Sequence, residues 1–228
     1  MKTQFLDRTE AGQFLAESLS AYANRDDVVV LALPRGGVPV GAEIAAALDA
    51  PLDLLIVRKV GAPGNAELAA AAIVDGDPAD VVLNRQIIEA YALGNSQLAA
   101  LIERERPELE RRRAAYRGDR RPLSIDGKTV IAVDDGAATG TTMKVAIRAL
   151  KHRSPREVVV ALPVAPRETI AELALEADRV VCLSQPIPFQ ALSYHYRNFP
   201  QLTDAEVRAV LDRAAQLRSD KFAGTASR

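Results

Sequence analysis

The chain has 228 residues, 48% of them hydrophobic and 26% charged, which suits one globular domain rather than a disordered or fibrous chain. Its net charge of −1 gives no reason to expect nucleic acid or a membrane as partner. A single cysteine excludes an intramolecular disulfide and a Cys-based zinc site. That cysteine, Cys182, lies in the apolar run Val180–Leu183 and reads as a buried, inert thiol. No apolar run nears the roughly 20 residues that span a bilayer. The chain starts without an apolar leader, so a cytoplasmic location is expected.

Taken in order, Asp7-Arg8-Thr9-Glu10 opens a helix, with Asp7 as N-cap and an apolar stripe of Phe14, Leu15, Leu19 and Tyr22. The run Val28–Leu33 reads as a central parallel strand buried on both faces. Pro34-Arg35-Gly36-Gly37 follows, then a helix to about Leu48. Leu52–Val57 is a second strand, ending in Arg58-Lys59. Residues 60–83 carry no strong period and read as a long functional loop, with a short strand at Ala72-Ile73-Val74. Residues 84–117 are helical, broken near Gly94-Asn95, and the charge run Glu103–Arg117 reads as a solvated face. Pro107 either kinks that helix or starts a new one.

A polar connector, Gly118–Gly127, leads to Val130–Thr142, the stretch that organises the rest. It is an apolar strand, two adjacent carboxylates, then a turn of Gly, Ala and Thr that opens the helix Met143–Leu150. The helix N-terminus offers unpaired N–H groups and the positive dipole end, so the turn reads as a phosphate cradle. Asp134 and Asp135 must face something cationic or hydroxylated, a metal or a diol. A phosphate beside a diol describes a phosphorylated sugar. Strand Glu157–Leu162, helix Pro166–Ala177 and strand Arg179–Leu183 complete an α/β alternation, hence an open, mostly parallel, doubly wound sheet. Residues 184–202 are irregular. Thr203-Asp204-Ala205-Glu206 caps a last helix to about Leu217. The expected organisation is one domain, 1–228: a core to about residue 183, a hood and C-terminal helix over 184–217, and a flexible tail over 218–228.

In an open parallel sheet, ligands bind beyond the carboxyl ends of the strands. The loops after residues 33, 58 and 133 meet there. Arg35, Gly36 and Gly37 offer a cation and exposed N–H groups suited to a pyrophosphate, and Arg58 and Lys59 add two cations. Each could instead be a solvated strand end. Val130–Thr142, with its two acids, short spacer and Thr-Gly-x-Thr, resembles the phosphoribosyl-pyrophosphate (PRPP) motif of type I phosphoribosyltransferases. Leu33–Gly37 is similar to that family's pyrophosphate loop, and Arg58–Asn65 to the start of its flexible catalytic loop in a poorly assigned bacterial branch. Phe5–Gly12 and Phe199–Val207 look like the same branch, so the resemblance spans most of the chain.

The resemblance implies transfer of the phosphoribosyl group from PRPP, with Mg²⁺, to a small-molecule acceptor, and a homodimer. It assigns catalytic roles to Arg58, Lys59, Asp134 and Asp135. Asp134 and Asp135 would hold the ribose hydroxyls, directly or through the metal. Ala137, Ala138, Thr139, Gly140, Thr141 and Thr142 would hold the 5′-phosphate, and Arg35, Gly36 and Gly37 the pyrophosphate. The loop 60–81 would close to exclude water. One departure stands out: members that use 6-oxopurines carry an Asp just before the motif's Thr-Gly, and here it is Ala138. A methyl group moves no proton, so that acceptor class is disfavoured. In the hood, Phe189 and Tyr194 are candidates to stack on an acceptor, or simply to pin the hood to the core. The competing reading is a protein of this fold that senses PRPP or a nucleotide without turnover. Nucleoside triphosphate and dinucleotide sites are disfavoured because no Gly-x-x-x-x-Gly-Lys-Thr or Gly-x-Gly-x-x-Gly occurs.

Overall fold

A computed structural model describes residues 4–76, 79–118 and 120–225. Expectations that touch residues 1–3, 77–78, 119 and 226–228 lie outside them. The main sheet has five parallel strands in the order β2-β1-β6-β7-β8. These are β1 (Val28–Ala32), β2 (Leu52–Leu54), β6 (Thr129–Val133), β7 (Glu157–Val164) and β8 (Arg179–Ser184). Every residue of β1 and β6 is buried, as two-sided burial of a β-branched run requires. One face packs α1 (Arg8–Ser18) and α2 (Gly37–Leu48) through Leu15, Leu19, Val40 and Ile44. The other packs α5 (Thr141–Lys151) and α6 (Arg167–Ala174) through Met143, Ile147, Leu150 and Leu173. The doubly wound α/β architecture is therefore as expected.

The segment 60–83 is not a loop. β3 (Val57–Ala62), β4 (Asn65–Val74) and β5 (Asp80–Leu83) form a second, antiparallel sheet. Pro63-Gly64 makes the first turn, with Gly64 at φ +75°. The Ala-rich run 69–74 is small because it is packed tight: Ala70 to Val74 are fully or almost fully buried, partly under the helix that follows. The expected strand 52–57 likewise divides, its first half joining the main sheet and its end starting β3.

The break near Gly94 falls between α3 (Arg85–Ala90) and the 23-residue α4 (Asn95–Arg117), and Pro107 sits inside α4. The charge run of α4 is only partly a solvated face. Its last residue, Arg117, is buried and donates to Asp53 (2.6 Å), Asp75 (3.1 Å) and the carbonyl of Leu54. That network fastens α4 to the edge strand β2. The final helix, α7 (Asp204–Thr225), runs past the expected end at Leu217. Its start is a reciprocal capping box: Thr203 N–H donates to Glu206 (2.7 Å), and Glu206 N–H donates to the Thr203 hydroxyl (3.2 Å). Among the described residues no helix is long and apolar enough to cross a membrane.

Candidate active site

The carboxyl ends of β1, β2 and β6 open onto a cleft of about 250 Å³. Leu33 and Pro34 line it from the loop after β1, Arg58 and Lys59 from β3, and Asp134 and Thr142 from the loop and helix after β6. The three predicted loops therefore do meet. A fourth element joins them: Arg112, from α4. Cavities of about 520 and 590 Å³ lie elsewhere, lined by other residues, so the choice rests on chemistry rather than size.

The cradle is built from both sides. Gly140 ends the turn at φ +66°, where a side chain would also meet Thr169 at 2.8 Å. The Thr169 hydroxyl donates to the Ala138 carbonyl (2.8 Å), tying the turn to α6. Ala138 and Thr139 are exposed, and the hydroxyls of Thr139 and Thr141 lie 3.1 Å apart. Ala137 does not belong to the exposed set: it is buried and its N–H donates to Val164 (3.0 Å). Ala138 and Thr139 thus leave the turn open to solvent, and the first-turn N–H groups of α5 lack intrahelical acceptors.

The two carboxylates have different surroundings. Asp134 is half-buried, lines the cleft, and accepts from its neighbour's N–H (2.9 Å). Burial pushes its carboxyl well above the ordinary range, and the adjacent Asp135 carboxylate adds to the rise. Asp135 points away. Its carboxylate pairs with Arg8 Nε at 2.8 Å, and its carbonyl accepts from the Tyr196 hydroxyl at 2.5 Å. Burial raises its carboxyl too, against the pull of Arg8. Arg8 in turn donates to the Pro200 carbonyl (2.9 Å) and lies 3.8 Å over the Phe199 ring. Tyr196 stacks on Phe199 at 4.7 Å, and burial keeps its phenol protonated, hence a donor. Asp135 is therefore the post to which both ends of the chain are fixed. Of the pair, Asp134 is the one that lines the cleft.

Gly36 and Gly37 are needed for close approach. A Cβ at Gly36 would stand 2.0 Å from Asp135 Oδ2, and one at Gly37 would stand 2.6 Å from the Val133 carbonyl. The Arg35 side chain is exposed and lies 3.8 Å from Asp204, at the head of α7, rather than lining the cleft. Arg58 is held at 2.6 Å by Glu105 of α4. In the hood, Phe189 stacks on His195 (5.4 Å) and packs into the Phe5–Tyr196 cluster, while Tyr194 is exposed. Phe189 therefore pins the hood in this structure. His195 is buried, with no partner at Nε2 among the described residues. Cys182 is half-buried rather than fully buried as expected, its thiol pushed up to about 11 by burial.

A family model for the phosphoribosyl transferase domain matches residues 3–196. The chain belongs to that family. It is 43% identical over 210 residues to Rv0571c, a Mycobacterium tuberculosis protein provisionally named as a phosphoribosyl transferase. That match covers 92% of the chain but 47% of the relative, so the chain spans about half the length of the curated relatives it matches. TT1426 from Thermus thermophilus has the same fold, at 40% identity and a TM-score of 0.80, covering 91% of this chain and 97% of that one. In this phosphoribosyl transferase domain the motif residues were legible from sequence. Arg8 and Arg112 were not.

Proposed function

We propose that the protein transfers the 5-phosphoribosyl group of PRPP to a small-molecule acceptor other than a 6-oxopurine, with release of pyrophosphate. The observation that carries this reading is the cleft itself: Thr142 from the expected phosphate cradle, the Asp134 carboxylate and three basic side chains line about 250 Å³. Ala138 to Thr142 hold the 5′-phosphate at the N-terminus of α5. Asp134 holds the ribose hydroxyls. Arg58 and Lys59, with the loop at Arg35 to Gly37, hold the pyrophosphate as the C1–O bond breaks and the sugar becomes oxocarbenium-like. Preorganised cations at the leaving group and fixed positioning supply most of the rate. The β3–β4 hairpin borders the cleft and serves to exclude water from the sugar cation.

The donor set fits a magnesium ion. Asp134 is a hard oxygen ligand, and among the described residues its raised carboxyl makes no ion pair, where Asp135 has Arg8. Among the described residues no group of three His, Cys, Asp or Glu side chains could hold a metal alone, so most ligands would come from PRPP and water. Bound there, Mg²⁺ would neutralise charge on the pyrophosphate. A single domain with a hood over 184–217, a cytoplasmic setting and a homodimer complete the reading, and light scattering on the purified protein tests the last.

Calorimetry with PRPP and Mg²⁺ tests the site. Wild type should bind and Asp134→Asn should lose at least tenfold in affinity; equal binding refutes the assignment. Pyrophosphate release across a panel of acceptors tests turnover. PRPP binding without release for any acceptor would favour the sensing alternative.

A further inference from the structure

We infer that Arg112 of α4 is a pyrophosphate-binding residue, kept in reserve by Glu108 until the anion arrives. The inference rests on the reading of the cleft as a PRPP site and adds a residue from an element outside the PRPP motif.

Three observations support it. Arg112 lines the cleft beside Arg58, Lys59, Asp134 and Thr142, whereas Arg35, the cation expected for the pyrophosphate, is turned toward Asp204. Helical spacing puts Arg112 on the inward face of α4: it follows buried Leu109 by three residues and precedes buried Tyr116 by four. Its side chain is 28% exposed, half-screened from water but open to the cleft.

Its ion-pair arrangement also suits release. Arg112 Nε donates to Glu108 Oε1 at 2.8 Å. Glu108 is at the same time gripped by Arg111 through two bonds, 2.8 Å to Oε2 and 3.1 Å to Oε1. When Arg112 swings to an anion, Glu108 keeps both Arg111 bonds and no carboxylate is stranded. Arg58 has no such reserve among the described residues, since its partner Glu105 pairs with Arg58 alone. The planar guanidinium then meets the pyrophosphate oxygens in bidentate fashion, as a lysine could not. Pyrophosphate carries several negative charges, and a half-exposed ion pair to one carboxylate competes poorly with it.

Titration calorimetry with Mg²⁺ on wild type, Arg112→Met, Arg112→Lys and Glu108→Gln, using PRPP, inorganic pyrophosphate and ribose 5-phosphate as separate probes, tests this. Arg112→Met should weaken PRPP and pyrophosphate about 10- to 100-fold and leave ribose 5-phosphate within about twofold. Arg112→Lys should recover part of the loss, and Glu108→Gln should bind pyrophosphate at least as tightly as wild type. Circular dichroism melts confirm that each variant is folded. Unchanged pyrophosphate affinity in Arg112→Met overturns the inference, as does an equal loss for ribose 5-phosphate. If wild type ignores PRPP yet binds pyrophosphate in an Arg112-dependent way, the reaction assigned to the cleft fails and the role of Arg112 stands. If wild type binds none of the three probes, both fall.

Discussion

Gly36→Ala is the smallest change that tests how the cleft is held together. The added methyl carbon would stand 2.0 Å from Asp135 Oδ2 and 2.4 Å from its Cγ, short of ordinary contact by about 1.4 Å at the nearer atom. Asp135 cannot give way freely, since Arg8 holds its carboxylate at 2.8 Å and Tyr196 holds its carbonyl at 2.5 Å. Two outcomes are open to the chain. If the carboxylate moves, a buried ion pair is broken, which costs about 3–5 kcal/mol. For a chain of this size that is a fall of roughly 6–20 °C in Tm. If the loop after β1 moves instead, Pro34 and the backbone proposed to meet the pyrophosphate shift by about an ångström, and a misplacement of that size costs on the order of 10²-fold in rate. Differential scanning fluorimetry and PRPP calorimetry on the same preparation read both. A variant within 2 °C of wild type that also binds PRPP within twofold would refute the packing argument.

Arg117→Met should lower Tm by a similar amount or less, because it removes the hydrogen-bonded cation from half-buried Asp53 and buried Asp75 and leaves only Arg113, 3.6 Å away, near Asp75; adding Asp75→Asn should restore part of the loss, and an unchanged single variant would sink the idea. Asp134→Asn should raise the Tm of the ligand-free protein at pH 7 while costing on the order of 10²–10³ in turnover. The sign follows from its raised carboxyl. The folded chain then binds that proton more tightly than the unfolded chain, so stability falls as pH climbs through the window above the ordinary carboxylate value. Asn removes the penalty, and a Tm that drops in Asp134→Asn contradicts it. Cys182, at about 11, is about one-thousandth thiolate at pH 8, against roughly a quarter for an ordinary thiol. Its labelling by iodoacetamide should be slow in the folded protein and fast in urea; equal rates count against the burial of the thiol.

The parts of the fold legible in the sequence are those where one physical signal dominates. Val28–Ala32 and Val130–Val133 are apolar throughout because both faces are covered, as a central parallel strand requires. The hairpin of residues 57–74 reads mostly as a loop in the sequence for the opposite reason: five of its buried residues are alanines, at 62 and 69–72, whose smallness answers to close packing and blurs the hydrophobic period that Val57, Val60, Ile73 and Val74 would otherwise set. The charge run of α4 misled because charge was counted without phase. Glu105, Leu109, Arg112 and Tyr116 follow one another at helical spacing, so a basic residue between two buried positions had to face inward. Arg8 gave no local signal at all, since its carboxylate partner lies 127 residues away.

The pair Asp134-Asp135 shows why the motif could be located from sequence while the different surroundings of its two acids could not. Adjacent residues at a strand end point to opposite sides. Only one can face the cleft, and the second must be neutralised from behind. Arg8 supplies that charge, and the aromatic stack of Tyr196 and Phe199 walls the ion pair off from water. An uncompensated carboxylate at that depth would be destabilising. The N-terminal helix and the hood therefore act on the site through Asp135. In Arg8→Gln, loss of the cation should lower Tm and weaken PRPP together, although Arg8 itself does not line the cleft. In Asp135→Asn, the buried guanidinium is left without its carboxylate and the same pair of losses should follow. Joining the two substitutions removes both buried charges, so the double variant should be more stable than either single one. Simple addition of the two losses would mean that Arg8 and Asp135 act separately, and would remove the link between the ends of the chain and the cleft.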